Sequence, residues 1–285
     1  MSPSPPVAGL PVAGPPVVGI DFGTTNSVVA VLRPDGDVRT LQAAGLDVFR
    51  TVLCFWAERG ALRHAAGPRA VAHYLDDPED TRLIMAMKTY LAQRSFSSTQ
   101  VMGRPFTLEA LVALFLRGLL ADQGLASGGS ASGGLADGGL DGARIVAGRP
   151  VRFAGELADD ALGEARLRES FRQAGLGEVD VAYEPEAAGF RFTRALAAPA
   201  TVLIADFGGG TSAFSLLRFD PGAARPVTAL ATTGVGVAGD SFDARIMDRA
   251  VAPRLGQGGT YRVMGKDMPI PADTTPACPA GTACP

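Results

Sequence analysis

Gly19-Ile20-Asp21-Phe22-Gly23-Thr24-Thr25-Asn26-Ser27 sets an acid, a glycine and two hydroxyls in a turn directly after a short apolar run. It reads as a hairpin that grips phosphate. Polyphosphate needs closely approaching donors, and glycine lets backbone N–H groups point into a turn with no Cβ in the way. The pattern returns downstream as Val202-Leu203-Ile204-Ala205-Asp206-Phe207-Gly208-Gly209-Gly210-Thr211-Ser212. Two such loops suffice to hold one nucleotide between them. An aspartate at each strand end, Asp21 and Asp206, suits a hydrated magnesium ion, which takes oxygen ligands and keeps several of its waters. Either turn alone is compatible with an ordinary Asp/Gly/Thr turn. The ordered pair, each preceded by an apolar strand, carries the phosphate reading.

Composition narrows the classes. The 285 residues are 47% hydrophobic and 19% charged, enough for one large or two small cores. Lysine plus arginine at 26 against 29 acids gives a net charge of −3, without the basic excess that nucleic-acid binding requires. The longest apolar helical candidate, Ala110 to Leu120, is interrupted by Arg117 and too short to cross a bilayer. Residues 1–16 are rich in Pro, Ala, Gly and Val and have no lysine or arginine, so they read as a disordered leader rather than a secretory signal. Cys54 sits in an apolar run, and Cys278 and Cys284 lack a histidine or second cysteine pair to complete a zinc site. No disulfide framework is expected, and the cytoplasm is the expected compartment.

From Val17 the pattern gives strand, turn and strand, then a turn at Pro34–Asp37 and a further strand at Val38–Leu41. Asp76 to Arg94 is expected to be at least partly helical, with Leu83, Ile84, Met87 and Leu91 at helical spacing and Lys88 near its end. A stronger helix is expected over Leu108–Asp122, capped by Thr107. Gly124–Gly142 is nearly all Gly, Ala, Ser, Leu and Asp, and reads as a flexible insertion. A strand near Arg144–Ala147, a helix from Asp159 to Ala174 and a strand at Val179–Tyr183 follow. Glu184 then stands at a strand end where a helix starts, with Pro185 tolerated in its first turn. Paired strands follow the second phosphate turn, then a glycine-rich loop at Gly234–Gly239 and a helix over Asp240–Leu255. The end of the chain, 257–285, reads as an irregular tail.

This order of motifs resembles the actin-like ATPase superfamily, most closely the DnaK-type heat-shock protein 70 chaperones, over about Val17 to Leu255. Tyr183-Glu184-Pro185-Glu186-Ala187-Ala188 is similar to that family's connecting motif, and Gly234 to Asp243 to its next phosphate-side loop. Ala147-Gly148-Arg149-Pro150-Val151 and Asp76-Asp77-Pro78-Glu79 resemble an atypical branch without a substrate-binding domain. The resemblance implies an α/β, ribonuclease H-like fold, with a complete first lobe over 17–198 and the beginning of a second over 199–256. It implies ATP or ADP with Mg2+ as ligands. It also implies that Asp21 and Asp206 orient magnesium waters and that Gly23, Thr24, Thr25, Asn26, Gly208, Gly209, Gly210, Thr211 and Gly239 contact phosphate. Lys88 matches the family's catalytic lysine, with Glu184 and Asp206 sharing the water shell it serves. Positioning and electrostatics of this kind supply most of the catalysis in phosphoryl transfer.

The resemblance thus implies an ATP-dependent chaperone, with unfolded client proteins as partners and co-chaperones unassigned. Two departures temper ATP hydrolysis. Ala213 stands where the family has a polar group, and the sequence stops short of the family's later adenosine-side loop, as a truncated chain would. An actin-like filament or scaffold ATPase shares the phosphate turns. A small-molecule kinase of the same superfamily needs a substrate-side aspartate, for which no motif stands out. His64 and His73 are read as solvated surface residues without a role.

Overall fold

The computed structural model describes residues 15–270 except 34–35, 43–44, 126–139, 141, 156, 194–195, 197, 222 and 224–226. The expected leader, most of the glycine-rich insertion, Cys278 and Cys284 therefore lie outside the described residues. The chain opens with β1 (Val17–Phe22), β2 (Asn26–Leu32), β3 (Val38–Thr40) and the two-residue β4 (Phe49–Arg50). A small unit follows, made of β5 (Val52–Glu58), β6 (Ala61–Ala66), α1 (Gly67–Asp76) and β7 (Thr81–Met85). A 3-10 turn, Met87–Tyr90, leads to the hairpin β8 (Ser98–Val101) and β9 (Arg104–Thr107), and on to α2 (Leu108–Asp122). Next come β10 (Arg144–Arg149), α3 (Asp160–Gln173), β11 (Asp180–Tyr183) and α4 (Glu184–Thr193). The last described part holds β12 (Ala200–Phe207), β13 (Ser212–Phe219), β14 (Val227–Val235), α5 (Gly239–Ile246), β15 (Thr260–Val263) and β16 (Lys266–Pro269).

The main sheet runs β3-β2-β1-β10-β11, with β4 added to β2. Its hairpin side is antiparallel, while β1, β10 and β11 are parallel to one another. Alternation in β1 sends Val18, Ile20 and Phe22 into the core and leaves Asp21 on the other face. Beneath lies α2, started by Thr107, whose Oγ1 accepts a hydrogen bond from Ala110 N at 3.2 Å. Phe115 of α2 meets Phe22 and Phe49, with ring centroids 5.6 and 5.7 Å away. Each fully buried phenylalanine contributes roughly 1.5–3 kcal/mol, so this trio anchors the first hairpin. Leu167 and Phe171 of α3 complete the core.

A second sheet, β12-β13-β14, is antiparallel throughout. It carries α4 on one face. Gly189 of α4 lies so close that a Cβ there would sit 2.7 Å from Leu217 Cδ1.

Three sequence expectations are corrected. Asp76–Arg94 is not a helix along its middle: Thr81–Met85 is a strand paired antiparallel with β5, Cys54 opposite Leu83 and Leu53 opposite Ile84. Leu83 packs with Cys54 and Ala70 while Ile84 packs on the main core, so adjacent residues serve opposite faces and non-local pairing overrides the local spacing. Ahead of that strand Asp77 makes a turn, its Oδ1 accepting from Asp80 N at 3.2 Å. The helix expected over Asp240–Leu255 starts at Gly239 and changes pitch, through a π turn at Met247–Val251 and a 3-10 turn at Ala252–Leu255. Within the tail expected to be irregular, β15 and β16 form an exposed hairpin.

Candidate functional site

The first loop is shaped by Gly23, where a Cβ would fall 2.0 Å from the carbonyl oxygen of Asn26. Only glycine fits there. Below the loop, Thr25 O accepts from Thr51 N at 2.9 Å, and the buried hydroxyls of Ser27 and Thr51 are 2.8 Å apart. The second loop closes through Gly208 N to Thr211 O at 2.9 Å. It is then tied to the start of α5, because Gly239 N donates to Gly208 O at 3.1 Å and Asp240 N to Gly209 O at 2.9 Å.

The loops face each other at close range. A Cβ on Gly209 would lie 2.0 Å from Thr25 Oγ1, and one on Gly210 would lie 2.9 Å from Thr24 Oγ1 and 3.2 Å from Thr89 Oγ1. Thr25 Oγ1 also donates to Asp240 Oδ1 at 3.4 Å. Glycines in one loop thus admit the hydroxyls of the other. Between them opens a cleft of about 370 Å³ lined by both loops together with Asp21, Lys88, Glu184 and Asp206.

Lys88 enters this cleft from the 3-10 turn, which follows Ala86 in a left-handed conformation, φ 53°. Its ammonium pairs with the carboxylate of Glu184, at the start of α4. The lysine side chain is buried and the glutamate partly so, 8% and 16% exposed. Gly148 of β10 makes room for this pair, since a Cβ there would be 3.3 Å from Glu184 Cγ and 3.7 Å from Asp21 Oδ1. Burial works against the charge on Lys88, but Glu184, Asp21 and Asp206 outweigh it and hold the ammonium above its ordinary pKa. Burial pushes the Glu184 carboxyl up despite the lysine. Asp206 is raised by burial and by neighbouring Asp21, and Asp240 by burial. A buried cation ringed by carboxylates at the base of two donor-rich loops is equipped for an anion accompanied by a hard metal ion.

The donor set fits magnesium. Among the described residues no three His, Cys, Asp or Glu side chains are grouped closely enough to ligate a metal directly. Asp21 and Asp206 both face the cleft, an arrangement suited to an ion held through its waters.

The structure thus brings Asp21, Gly23, Thr24, Thr25, Asn26, Lys88, Glu184, Asp206, Gly208, Gly209, Thr211 and Gly239 to one cleft. Gly210 instead packs against Thr24 and Thr89. Phe207, Asp240 and Asp243 also border the cleft; the resemblance placed Asp240 and Asp243 in a phosphate-side loop without giving either a role, and Phe207 was not picked out. Asp240 carried one usable signal, its place directly after Gly239. Ala213 lies across from Asp206 in the sheet, with Gly234 beyond it, so that row offers no polar side chain beside the aspartate. His73 does not stand isolated: it stacks on Trp56, ring centroids 3.9 Å apart. Among the described residues no helix is long and apolar enough to cross a membrane.

No protein-family model matches the chain. It is similar to curated chaperones. A chaperone protein HscA homolog of Bordetella petrii is 30% identical over 239 residues, covering 82% of this chain and 37% of the relative. The HscA homolog of Laribacter hongkongensis is 30% identical over 262 residues, covering 87% and 40%. Chaperone protein DnaK of Thermotoga petrophila is 29% identical over 234 residues, covering 81% and 35%. The matched span is well under half the length of these relatives.

Proposed function

The chain belongs to the heat-shock protein 70 family, and from that premise we propose that its cleft binds ATP and ADP with magnesium and hydrolyses ATP, as the nucleotide-binding part of an ATP-dependent chaperone. The observation that carries this reading is the convergence on one cleft of both glycine-threonine hairpins with Lys88 and the carboxylates of Asp21, Glu184 and Asp206. Unfolded polypeptides are the partners that kinship with chaperones supports.

The amides and hydroxyls of Gly23–Asn26 and Gly208–Thr211 cradle the phosphates. Asp21 and Asp206 would hold magnesium through its waters, and the ion would neutralise charge on the transferring phosphoryl group. Lys88 stays protonated because its carboxylate neighbours favour its charge. It therefore acts as a fixed positive charge and hydrogen-bond donor toward the γ-phosphate and the attacking water, rather than as a base. Glu184 orients the ammonium and accepts from the same water shell. Water attacks phosphorus as the bond to the ADP oxygen breaks, and the proton leaves through that shell. Beside Asp206 the methyl of Ala213 contributes no acceptor for it, so turnover is expected to be slow.

Calorimetric titration and single-turnover hydrolysis test the reading. Saturable binding of Mg-ATP and Mg-ADP is expected. Lys88→Met should lower hydrolysis about a hundredfold while changing affinity far less. A wild-type chain that does not bind Mg-ATP, or hydrolysis indifferent to Lys88→Met, contradicts it.

A further inference from the structure

We infer that Arg166, on α3 and outside the cleft, is a positioning residue: it clamps the chain that follows the Lys88 turn and thereby fixes where the lysine ammonium meets Glu184. The inference rests on Lys88 being the cleft's working cation, as proposed above.

The turn carrying Lys88 is short. It spans four residues, and its flanking backbone bonds include Thr89 N to Ala86 O at 3.0 Å and Leu91 N to Lys88 O at 3.3 Å. Residues 91–97 beyond it form neither helix nor strand. The carbonyls of Leu91, Gln93 and Phe96 face α3, where polar groups need partners. Arg166 meets them. Its Nη1 lies 2.8 Å from Phe96 O, 3.1 Å from Gln93 O, 3.3 Å from Leu91 O and 3.5 Å from Tyr90 O. Nη1 has two hydrogens, so Phe96 and Gln93 take the direct bonds while the other carbonyls share the positive field.

The guanidinium is aimed from its other edge. Arg166 Nε lies 3.2 Å from Glu109 Oε1 in the first turn of α2, the two side chains 11% and 17% exposed. One planar fork thus joins α2, α3 and the Lys88 segment, a geometry that a lysine ammonium does not reproduce. Asp159 N adds a bond to Ala92 O at 2.9 Å at the start of α3. Along the same turn, Thr89 touches the space of Gly210 in the second loop, so a shift of the turn moves both the Lys88–Glu184 pair and the contact between the two loops.

The lysines of this chain are Lys88 and Lys266, which gives the test an internal reference. Lys88 is buried and paired, while Lys266 lies in the exposed hairpin. A brief pulse of acetic anhydride on the native 285-residue protein without nucleotide, followed by mass spectrometry, reads the ratio of Lys88 to Lys266 modification. Arg166→Met is expected to raise that ratio about tenfold, the size of one lost charge-assisted hydrogen bond. Phe171→Leu, a core change on the same helix that leaves the Arg166 fork intact, serves as the control for general destabilisation and should leave the ratio within about twofold. If Arg166→Met does not fold, Glu109→Gln loosens the same fork from its far edge and should give a smaller rise in the same direction. An unchanged ratio in the fork variants, or an equal rise in Phe171→Leu, overturns the inference. Without nucleotide, this outcome is independent of whether the cleft binds ATP, which the wild-type titration decides separately. In a chain that hydrolyses ATP, Arg166→Met should also lower kcat about tenfold or more with KM little changed.

Discussion

Phe22 and Phe207 each follow the aspartate at the end of a strand and precede the glycine of a phosphate loop, yet Phe22 is 0% exposed and Phe207 is 65% exposed. The hairpins are local copies. What lies beneath them differs. Phe22 enters a core built by Phe115 and Phe49. Phe207 shares its sheet face with Leu203, Phe214, Leu216 and Val235, and its ring meets Phe214 edge-on with centroids 5.6 Å apart. Leu203 is also 65% exposed, while α4 covers the opposite face, where Leu217 and Phe219 are buried. The comparison teaches that an Asp-Phe-Gly turn specifies a loop and an acid, whereas the energetic role of the phenylalanine belongs to the layer below it.

The largest expected effect breaks the two hairpins apart energetically. In urea denaturation, Phe22→Ala should cost about 3–5 kcal/mol and Phe207→Ala less than about 0.5 kcal/mol. Equal costs would mean that the second sheet is covered in solution. Next in size is the contact between the loops. Gly209→Ala forces a methyl to within 2.0 Å of Thr25 Oγ1, so Mg-ADP affinity should fall about ten- to a hundredfold in calorimetry. The matching change Gly175→Ala, at a position with open space around it, should leave affinity unchanged despite its own backbone strain at φ +89°.

A third test addresses the open face. Leu203→Glu should reduce fluorescence of a bound hydrophobic dye with little change in melting temperature, whereas Ile20→Glu on the first hairpin should prevent folding. The smallest effect contrasts carboxylates. Hydrogen bonds from Arg168, and then Arg149, hold Glu164 below its ordinary pKa, while Asp206 is raised by burial. The Glu164 contribution is therefore full above the unfolded carboxylate pKa and is lost as pH falls through the lower folded value. For Asp206 the sign is opposite: ionisation is penalised in the folded state, so stability declines as pH rises from the unfolded value toward the raised folded one. Glu164→Gln should thus lower stability near neutral pH by less than about 1 kcal/mol and flatten its decline in acid.

Much of the site was legible in sequence because its parts are local. Each hairpin carries its own glycine and aspartate, α2 announces itself through Thr107, and Glu184 follows a strand and opens a helix. The unit of β5, β6, α1 and β7 was not legible. The run Val52-Leu53-Cys54-Phe55-Trp56 finds its partner at Thr81–Met85, some thirty residues away, and the Leu83, Ile84, Met87 and Leu91 spacing imitates a helix. Met87 and Leu91 do reach the core, but from a 3-10 turn and the chain beyond it. Asp243 stood in the segment that the resemblance singled out but received no role, because its nearness to the cleft depends on how α5 is tied to the second loop. The exposure of Phe207 was hidden for the same reason, since burial is a property of neighbours and not of a motif.

The central claim is that both hairpins grip one polyphosphate together. Its most direct test is a titration of the isotope-labelled protein with Mg-ADP, following the backbone amide signals of Gly23–Asn26 and Gly208–Thr211. The account expects both sets to shift and saturate with a single midpoint. Shifts confined to one loop, or two sets saturating at different concentrations, would contradict it.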